Sequence, residues 1–432
     1  MFTGTMFTRY EMRANYDDMG VSRARFLEGD ATFYRLRFGI GTGLIDIGKG
    51  LKVGLQFTPQ AAGVFGALGP NTVVDATLGL HEGYGRVAGT YMRFDAGRFE
   101  LNYGDALVIG NLDWNEVGRS FDGVRARLSS SPTGAWLDLF ATMVDEGRDP
   151  SLTGPAAKGL GFGDGDLYFY GAYAAIGPAL MPGLDLDLYA LAQGFHGVKN
   201  LKLAASDPMS PLYSRESATQ VTFGARIKQK IKFLDYRVEA GLQTGSRPGA
   251  VPTVMPMVPP PTRQAAADVS AYHVDAEVGL NLFEDKLRLA AEGIYASGDD
   301  AKSKKNEGWD ELYPTAHKWL GLADVFHQRG VKRTNVTSGV LHLTVKATKD
   351  LSVQADGHLF MRPEKIGLVD GRAGAEIDVG ASYVLGKGLK VRALYAAFMP
   401  DKEFYPLAPA HGQVDPIHYA EVELRYDLAP WA

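Results

Sequence analysis

A chain of 432 residues that is 45 % hydrophobic is too apolar for a disordered tail and could make one large domain or about two to three ordinary ones. With 52 glycines, 20 tyrosines, 21 phenylalanines and no cysteine, it favours strands and turns, and it excludes disulfide frameworks, thiolate metal sites and thiol catalysis. A formal net charge of −5, from 45 basic and 50 acidic residues, supplies no basic field for nucleic acid, so no nucleic-acid partner is expected.

Met1 runs at once into strand-like sequence with no basic n-region, apolar h-region or cleavage site, and the expectation is that any export signal has been removed. From Tyr10 to Leu428 the dominant period is two, the period of a strand with one apolar and one polar face. The uncharged stretch Leu167 to Leu184 has the length of a membrane helix. It contains Gly177-Pro178 and Pro182-Gly183, however, and flows into the alternating Leu184-Asp185-Leu186-Asp187-Leu188, so two strands and a turn are expected. Next, Val221, Phe223, Ala225 and Ile227 alternate with Gln220, Thr222, Arg226 and Lys228, and Leu234 to Leu242 alternates with Asp235, Arg237 and Glu239. Tyr272 to Leu280 and Ala420 to Leu428 repeat the pattern.

A soluble sandwich or propeller would show the same alternation, and the connections separate the readings. Short turns such as Ser129 to Gly134, Phe283 to Lys286, Thr348 to Asp350 and Gly386 to Gly388 alternate with long polar connections: Glu146 to Gly165, Phe195 to Ser217, Thr244 to Asp268, Gly298 to Val331 and Pro400 to Pro416. Roughly nine long loops and eight short turns predict a closed antiparallel transmembrane β-barrel of about eighteen strands, sixteen being the alternative. This all-β fold would form a single domain over residues 1–432, with short periplasmic turns and long extracellular loops, in a bacterial outer membrane. Closure pairs every backbone donor and acceptor in hydrocarbon, and a wet interior accepts charge. Leu137, Leu139, Val221, Phe223, Val274, Val278, Val422 and Leu424 are expected to face lipid. An arginine should therefore be tolerated at Thr222 and not at Phe223.

On that register the inward face carries Arg9, Arg13, Arg35, Arg37, Lys52, Arg125, Arg127, Arg226, Lys228, Arg237, Arg288, Lys346, Arg392 and Arg425. Facing them are Glu11, Asp138, Asp235, Glu239, Asp275, Glu277, Glu292, Asp356, Glu376, Asp378, Glu421 and Glu423. An arginine ladder can hand anionic solute along through bidentate hydrogen bonds, whereas mutually neutralising pairs would only prop the wall. No G-x-S-x-G, H-E-x-x-H or P-loop occurs, no cofactor or metal is expected, and the acidic pairs Asp17-Asp18 and Asp299-Asp300 read as solvated loop residues.

Two blocks carry a family resemblance. Gly97 to Leu128, GRFELNYGDALVIGNLDWNEVGRSFDGVRARL, and Trp309 to Asp324, WDELYPTAHKWLGLAD, which follows Tyr295-Ala-Ser-Gly-Asp299, resemble the alginate-export family of outer-membrane barrels. Arg9-Tyr10-Glu11 and Tyr34-Arg35-Leu36-Arg37 add weaker likeness near the start. The resemblance points to Arg98, Asp105, Trp114, Arg119, Asp122 and Arg125 in the first block and His317 and Asp324 in the second. Two departures are Phe99, where the family often has Gln, and Leu107, where it often has Arg.

The pore-lining and substrate-binding candidates are thus Arg9, Arg35, Arg37, Arg98, Asp105, Arg119, Asp122, Arg125, Arg127, Arg226, Arg237, His317 and Asp324. The resemblance implies a non-enzymatic channel for an anionic polysaccharide or oligosaccharide, alginate-export-like, with outer-membrane lipid, lipopolysaccharide and periplasmic export proteins as partners. A general or substrate-specific porin for small polar solutes is the second reading, and a loop-based enzyme or adhesin the third. The aromatic segment Gly298 to Val331 should fold back on the barrel, either as a plug or as a cap over the rim. Within it, Ala316, Leu320, Ala323 and Phe326 are spaced for one face of a short helix over Thr315 to Gln328.

Overall fold

The computed structural model describes residues 2–16, 29–66, 76–130, 133–145, 166–196, 217–247, 266–300, 302–328, 332–365, 371–401 and 415–428. Its strands are β1 (Phe2–Ala14), β2 (Gly29–Gly41), β3 (Ile45–Gly48), β4 (Leu51–Val64), β5 (Ala76–Ala88), β6 (Met92–Phe99), β7 (Phe121–Ser129), β8 (Trp136–Asp145), β9 (Leu167–Ala175) and β10 (Leu184–Phe195). They continue with β11 (Ala218–Ile231), β12 (Leu234–Arg247), β13 (Ala267–Leu282), β14 (Leu287–Ala296), β15 (Val336–Lys346), β16 (Leu351–Met361), β17 (Arg372–Gly386), β18 (Leu389–Pro400) and β19 (Ile417–Leu428).

Apart from β2 and β3, which do not pair with each other, each strand pairs antiparallel with its sequence neighbours, and β1 pairs with both β2 and β19, which closes the sheet. The short β3 continues the line of β2, since both pair with β4, so the wall is an antiparallel barrel of 18 strands. The stretch from Leu167 to Leu184 resolves into β9, a 3-10 turn over Gly177–Ala179 and the start of β10, because Pro178 and Gly183 (φ +76°) break any helix. No helix among the described residues is long and apolar enough to cross a membrane.

Alternation gives the wall its two faces. Leu139, Phe223, Val274, Val278, Val422 and Leu424 are exposed on the outside, with Leu137 and Val221 half-exposed beside them. That outer band would be a folding error in water and is a solvation match in lipid. The inward face is mostly polar but has an apolar sector. Phe140 on β8, Phe169 and Tyr173 on β9, and Tyr189 and Leu191 on β10 are buried inside the barrel, where loop residues pack on them.

Candidate functional site

Two loops fill the bore. The first, residues 100–120, leaves β6 and returns to β7, and its Leu101, Tyr103, Leu107, Val108 and Ile109 are buried against the aromatic sector. Tyr103 stacks on Tyr173, ring centres 4.4 Å apart, and its hydroxyl donates to Asp138 at 2.9 Å. An apolar run of this kind on a hydrated loop would be costly, so burial of these side chains folds the segment inward.

The second loop, residues 297–335, meets the first across the lumen. Tyr313 N donates to Val108 O at 3.0 Å, Gly110 N to Tyr313 O at 2.7 Å, and Thr315 N to Ala106 O at 2.9 Å. This is a short parallel pairing, and a Cβ on Gly110 would lie 2.8 Å from the Thr315 backbone nitrogen, so the approach requires glycine. Arg119 adds a clamp by donating to Gly110 O and Pro314 O at 3.2 and 2.9 Å. His317 stacks on Trp114 with ring centres 3.8 Å apart, and the Trp114 indole N–H donates to Glu421 at 2.9 Å. Of the two expectations for this segment, folding inside the barrel is the one observed.

The expected helix over Thr315 to Gln328 is instead a 3-10 turn, Ala316–Lys318, and a single α-turn, Val325–Gln328. Gly321 (φ +82°) and Asp324 (φ +58°) take left-handed backbone between them, and Gly321 lies directly against the Glu376 carboxylate. The apolar spacing still serves burial, for Leu320, Ala323 and Phe326 are wholly enclosed. Asp324 accepts from His327 at 2.9 Å, and Glu311 lies 3.1 Å from the other ring nitrogen. Burial pulls the His327 imidazole down, but these two carboxylates outweigh it and raise it to about 10, so the ring is a fixed cation at neutral pH.

Inward arginines hold the first loop at two points. At one wall Asp105 accepts from Arg226 at 2.8 Å and from Lys228 at 3.0 Å, with Arg237 at 4.0 Å. Burial raises this carboxyl, yet the hydrogen bonds and charges of Arg226 and Lys228 hold it down at about 2. Lys318, carried in by the second loop, keeps much of its surface open but lays its ammonium 4.6 Å from the Trp319 ring centre; partial desolvation there and the charges of Arg237, Lys228 and Arg226 depress the ammonium, with the charge of Asp105 opposing them. Near the β1–β2 wall Asp113 receives Arg35 at 2.9 Å, Arg37 at 3.0 Å and Arg425 at 2.7 Å. Arg9 donates to Trp114 O at 2.5 Å and Arg35 to Asp113 O at 2.9 Å, while Arg37 reaches Val117 O at 3.0 Å. Arg9, Arg35, Arg37, Arg226 and Arg237 are therefore almost wholly covered and engaged with loop or wall.

Elsewhere, Arg125 pairs with Asp95 at 2.8 Å, and Arg127 pairs with Asp138 at 2.5 Å beneath Trp136. Arg98 and Asp122 are a correction. They pair with each other at 2.6 Å between β6 and β7, on the same side of the strands as Phe94 and Val124, and they edge a cavity shared with His81, Arg119 and Tyr313 instead of projecting into the bore beside Arg125. Asp299 and Asp300 cap local turns through the amides of Glu307 and Lys302, and Asp17-Asp18 lies outside the described residues.

Sequence reasoning missed Asp113 and the chain Ser120–His81–Glu100. His81 Nε2 lies 2.6 Å from Glu100, and Ser120 Oγ lies 3.3 Å from His81 Nδ1. His81 is the extra residue of a bulge opposite Pro59, which has no N–H for the ladder, and the bulge turns the ring inward. Asn111 and Arg37 share Glu100, so this chain ties the exit of the first loop to the wall. The Pro59 bulge was a readable signal. A cavity of 480 Å³ beside it is lined by Gln60, His81, Arg119, Ser120 and Tyr313 among others.

A closed barrel with an apolar belt, short turns at one rim and loops folded into a charged bore defines an outer-membrane β-barrel channel of the bacterial outer membrane. The family described as alginate export matches residues 188–399, and the resemblance read from the 97–128 and 309–324 blocks points the same way. Among solved structures the chain is similar to Pseudomonas aeruginosa OccK5 (OpdH), with TM-score 0.61 and 12 % identity over 100 % of this chain and 98 % of that one. It is equally similar to P. aeruginosa OccK2 (OpdF), solved in complex with glucuronate, again with TM-score 0.61, 12 % identity and coverage of 100 % and 98 %. Acinetobacter baumannii OccAB3 follows at TM-score 0.60 and 12 % identity, covering 99 % of each chain. No curated protein matches the chain.

Proposed function

We propose that this channel passes carboxylate-bearing saccharides, as uronic-acid units or short oligomers moving in single file. The observation that carries the reading is a pair of exposed lysines where the two loops cross the bore, Lys228 with its ammonium 3.0 Å from Asp105 and Lys318 on the second loop with its ammonium 4.6 Å from the Trp319 ring centre. Flexible lysine heads bind a passing carboxylate as point charges and release it, whereas the covered arginines are committed to holding the loops. The alginate-export match and the glucuronate bound in OccK2 both concern acidic sugars, which supports the same solute class.

The alternative, a porin for small solutes, gains from one feature. The clasp between Ala106–Gly110 and Tyr313–Thr315 is backbone-paired and backed by a buried cluster, which favours short solutes over a long polymer unless the clasp opens. Swelling of proteoliposomes in glucuronate, in a uronic-acid tetramer and in neutral sugars of matched size tests both. The proposal expects the acidic sugars to enter faster than the neutral ones, and equal rates would overturn it. Exclusion of the tetramer alone would restrict the channel to small anions.

A further inference from the structure

The wall over β13 to β16, a few strands along from the aromatic sector, carries a group of side chains that holding the loops does not use. On β13 to β16, His342 Nε2 and one carboxylate oxygen each from Glu277 and Glu292 lie within 4.8 Å of one another. Glu277 and Glu292 stand directly opposite on adjacent antiparallel strands, a pairing of like charges that is unfavourable unless a cation lies between them.

His342 is oriented by a hydrogen bond from its Nδ1 to Asp356 at 2.8 Å, which leaves Nε2 facing Glu292 at 3.3 Å. A carboxylate behind the far ring nitrogen is the arrangement that fixes a metal-ligating imidazole in its tautomer. Asp275 is a separate observation, since its Oδ2 is buried beside Arg237 and Glu292 with no hydrogen-bond donor. Arg237 and Arg288 do neutralise part of this wall, Arg237 reaching Asp275, Glu277 and Glu292, and Arg288 reaching Asp235 and Glu277. Five carboxylates, Asp235, Asp275, Glu277, Glu292 and Asp356, still outnumber the guanidiniums of Arg237, Arg288 and the buried Arg333, whose charge also reaches Asp275. Of the three, Glu277 lines a cavity of 460 Å³ together with Arg237 and Lys228, which gives an ion an approach from that side.

From this geometry we propose that Glu277, Glu292 and His342 form a lumenal site for a borderline divalent cation such as Zn²⁺, with water completing its shell. One imidazole nitrogen and two carboxylate oxygens suit Zn²⁺ better than Mg²⁺ or Ca²⁺, which take oxygen ligands. The site does not depend on which solute the channel carries.

The test is calorimetric titration of the refolded, detergent-solubilised full chain with ZnCl₂, and separately with MgCl₂. Wild type should take up one Zn²⁺ and ignore Mg²⁺. His342→Ala should abolish uptake, and Asp356→Asn, which leaves every ligand in place, should weaken it about 10–100-fold. Heat-modifiable migration on gels checks that each variant is a folded barrel, and the Asp356→Asn arm stands if His342→Ala does not fold. Absence of Zn²⁺ uptake by wild type, or uptake unchanged in both folded variants, would overturn the site and leave His342 as a protonated bridge between Glu292 and Asp356.

Discussion

Replacing Gly110 by alanine adds a single methyl group at the point where the two loops pair. That methyl would sit 2.3 Å from Thr315 Oγ1, 2.7 Å from Ala106 Cβ and 2.8 Å from Thr315 N. The hydroxyl can rotate away, but the backbone nitrogen can move only by stretching the Thr315 N–Ala106 O and Gly110 N–Tyr313 O bonds, now 2.9 and 2.7 Å. Overpacking of this kind costs about 1–3 kcal/mol, a factor of roughly 5 to 150 in the balance between clasped and unclasped loops. Because the strand ladders are untouched, the cost falls on the loops and not on the barrel. Single-channel recording in planar bilayers should show larger or noisier open currents for Gly110→Ala, with heat-modifiable migration of the folded barrel unchanged. Conductance and open-channel noise identical to wild type would refute the view that this pairing constricts the bore.

Asp113→Asn removes the carboxylate shared by Arg35, Arg37 and Arg425, which should loosen the first loop and raise anion preference together, read as a shifted reversal potential in a salt gradient. Asp105 supplies a pH dependence. Its carboxyl sits at about 2, below the ordinary value near 4. A depressed carboxyl contributes its docking energy fully above about pH 4 and loses it as pH falls toward about 2, so conductance should change in that window and do so less in Asp105→Asn. Phe223→Arg on the lipid face should cost about 2–4 kcal/mol in urea unfolding from vesicles if it lies near the midplane, and a cost near zero would move the strand register. Thr222 is a poor tolerant control, contrary to expectation, because it is buried and accepts from Gln243, which also holds Asp310 O of the second loop.

The wall was legible because its physics is periodic. Alternation such as Val221 to Lys228 states both faces, and turn lengths state the two rims. Parity would also have placed Arg98 and Asp122 on the side of Phe94 and Val124, had the motif not drawn them toward the pore. What parity cannot say is what an inward side chain meets. Arg9, Arg35 and Arg37 look the same in sequence whether they face a solute or the backbone of Trp114, Asp113 and Val117, and the partner is set by a loop about a hundred residues away. The aromatic content of the 298–331 segment announced that it must be buried, whereas the glycine-specific turn at Gly321, which divides the expected helix, depends on the Glu376 carboxylate across the lumen.

The most direct test of the channel's proposed role is the current through single channels as a uronic-acid oligomer is added to one side of a bilayer. The loop-crossed bore with Lys228 and Lys318 predicts anion preference and a concentration-dependent block that weakens in a Lys228→Gln, Lys318→Gln double variant. Cation preference with no response to the oligomer would contradict it.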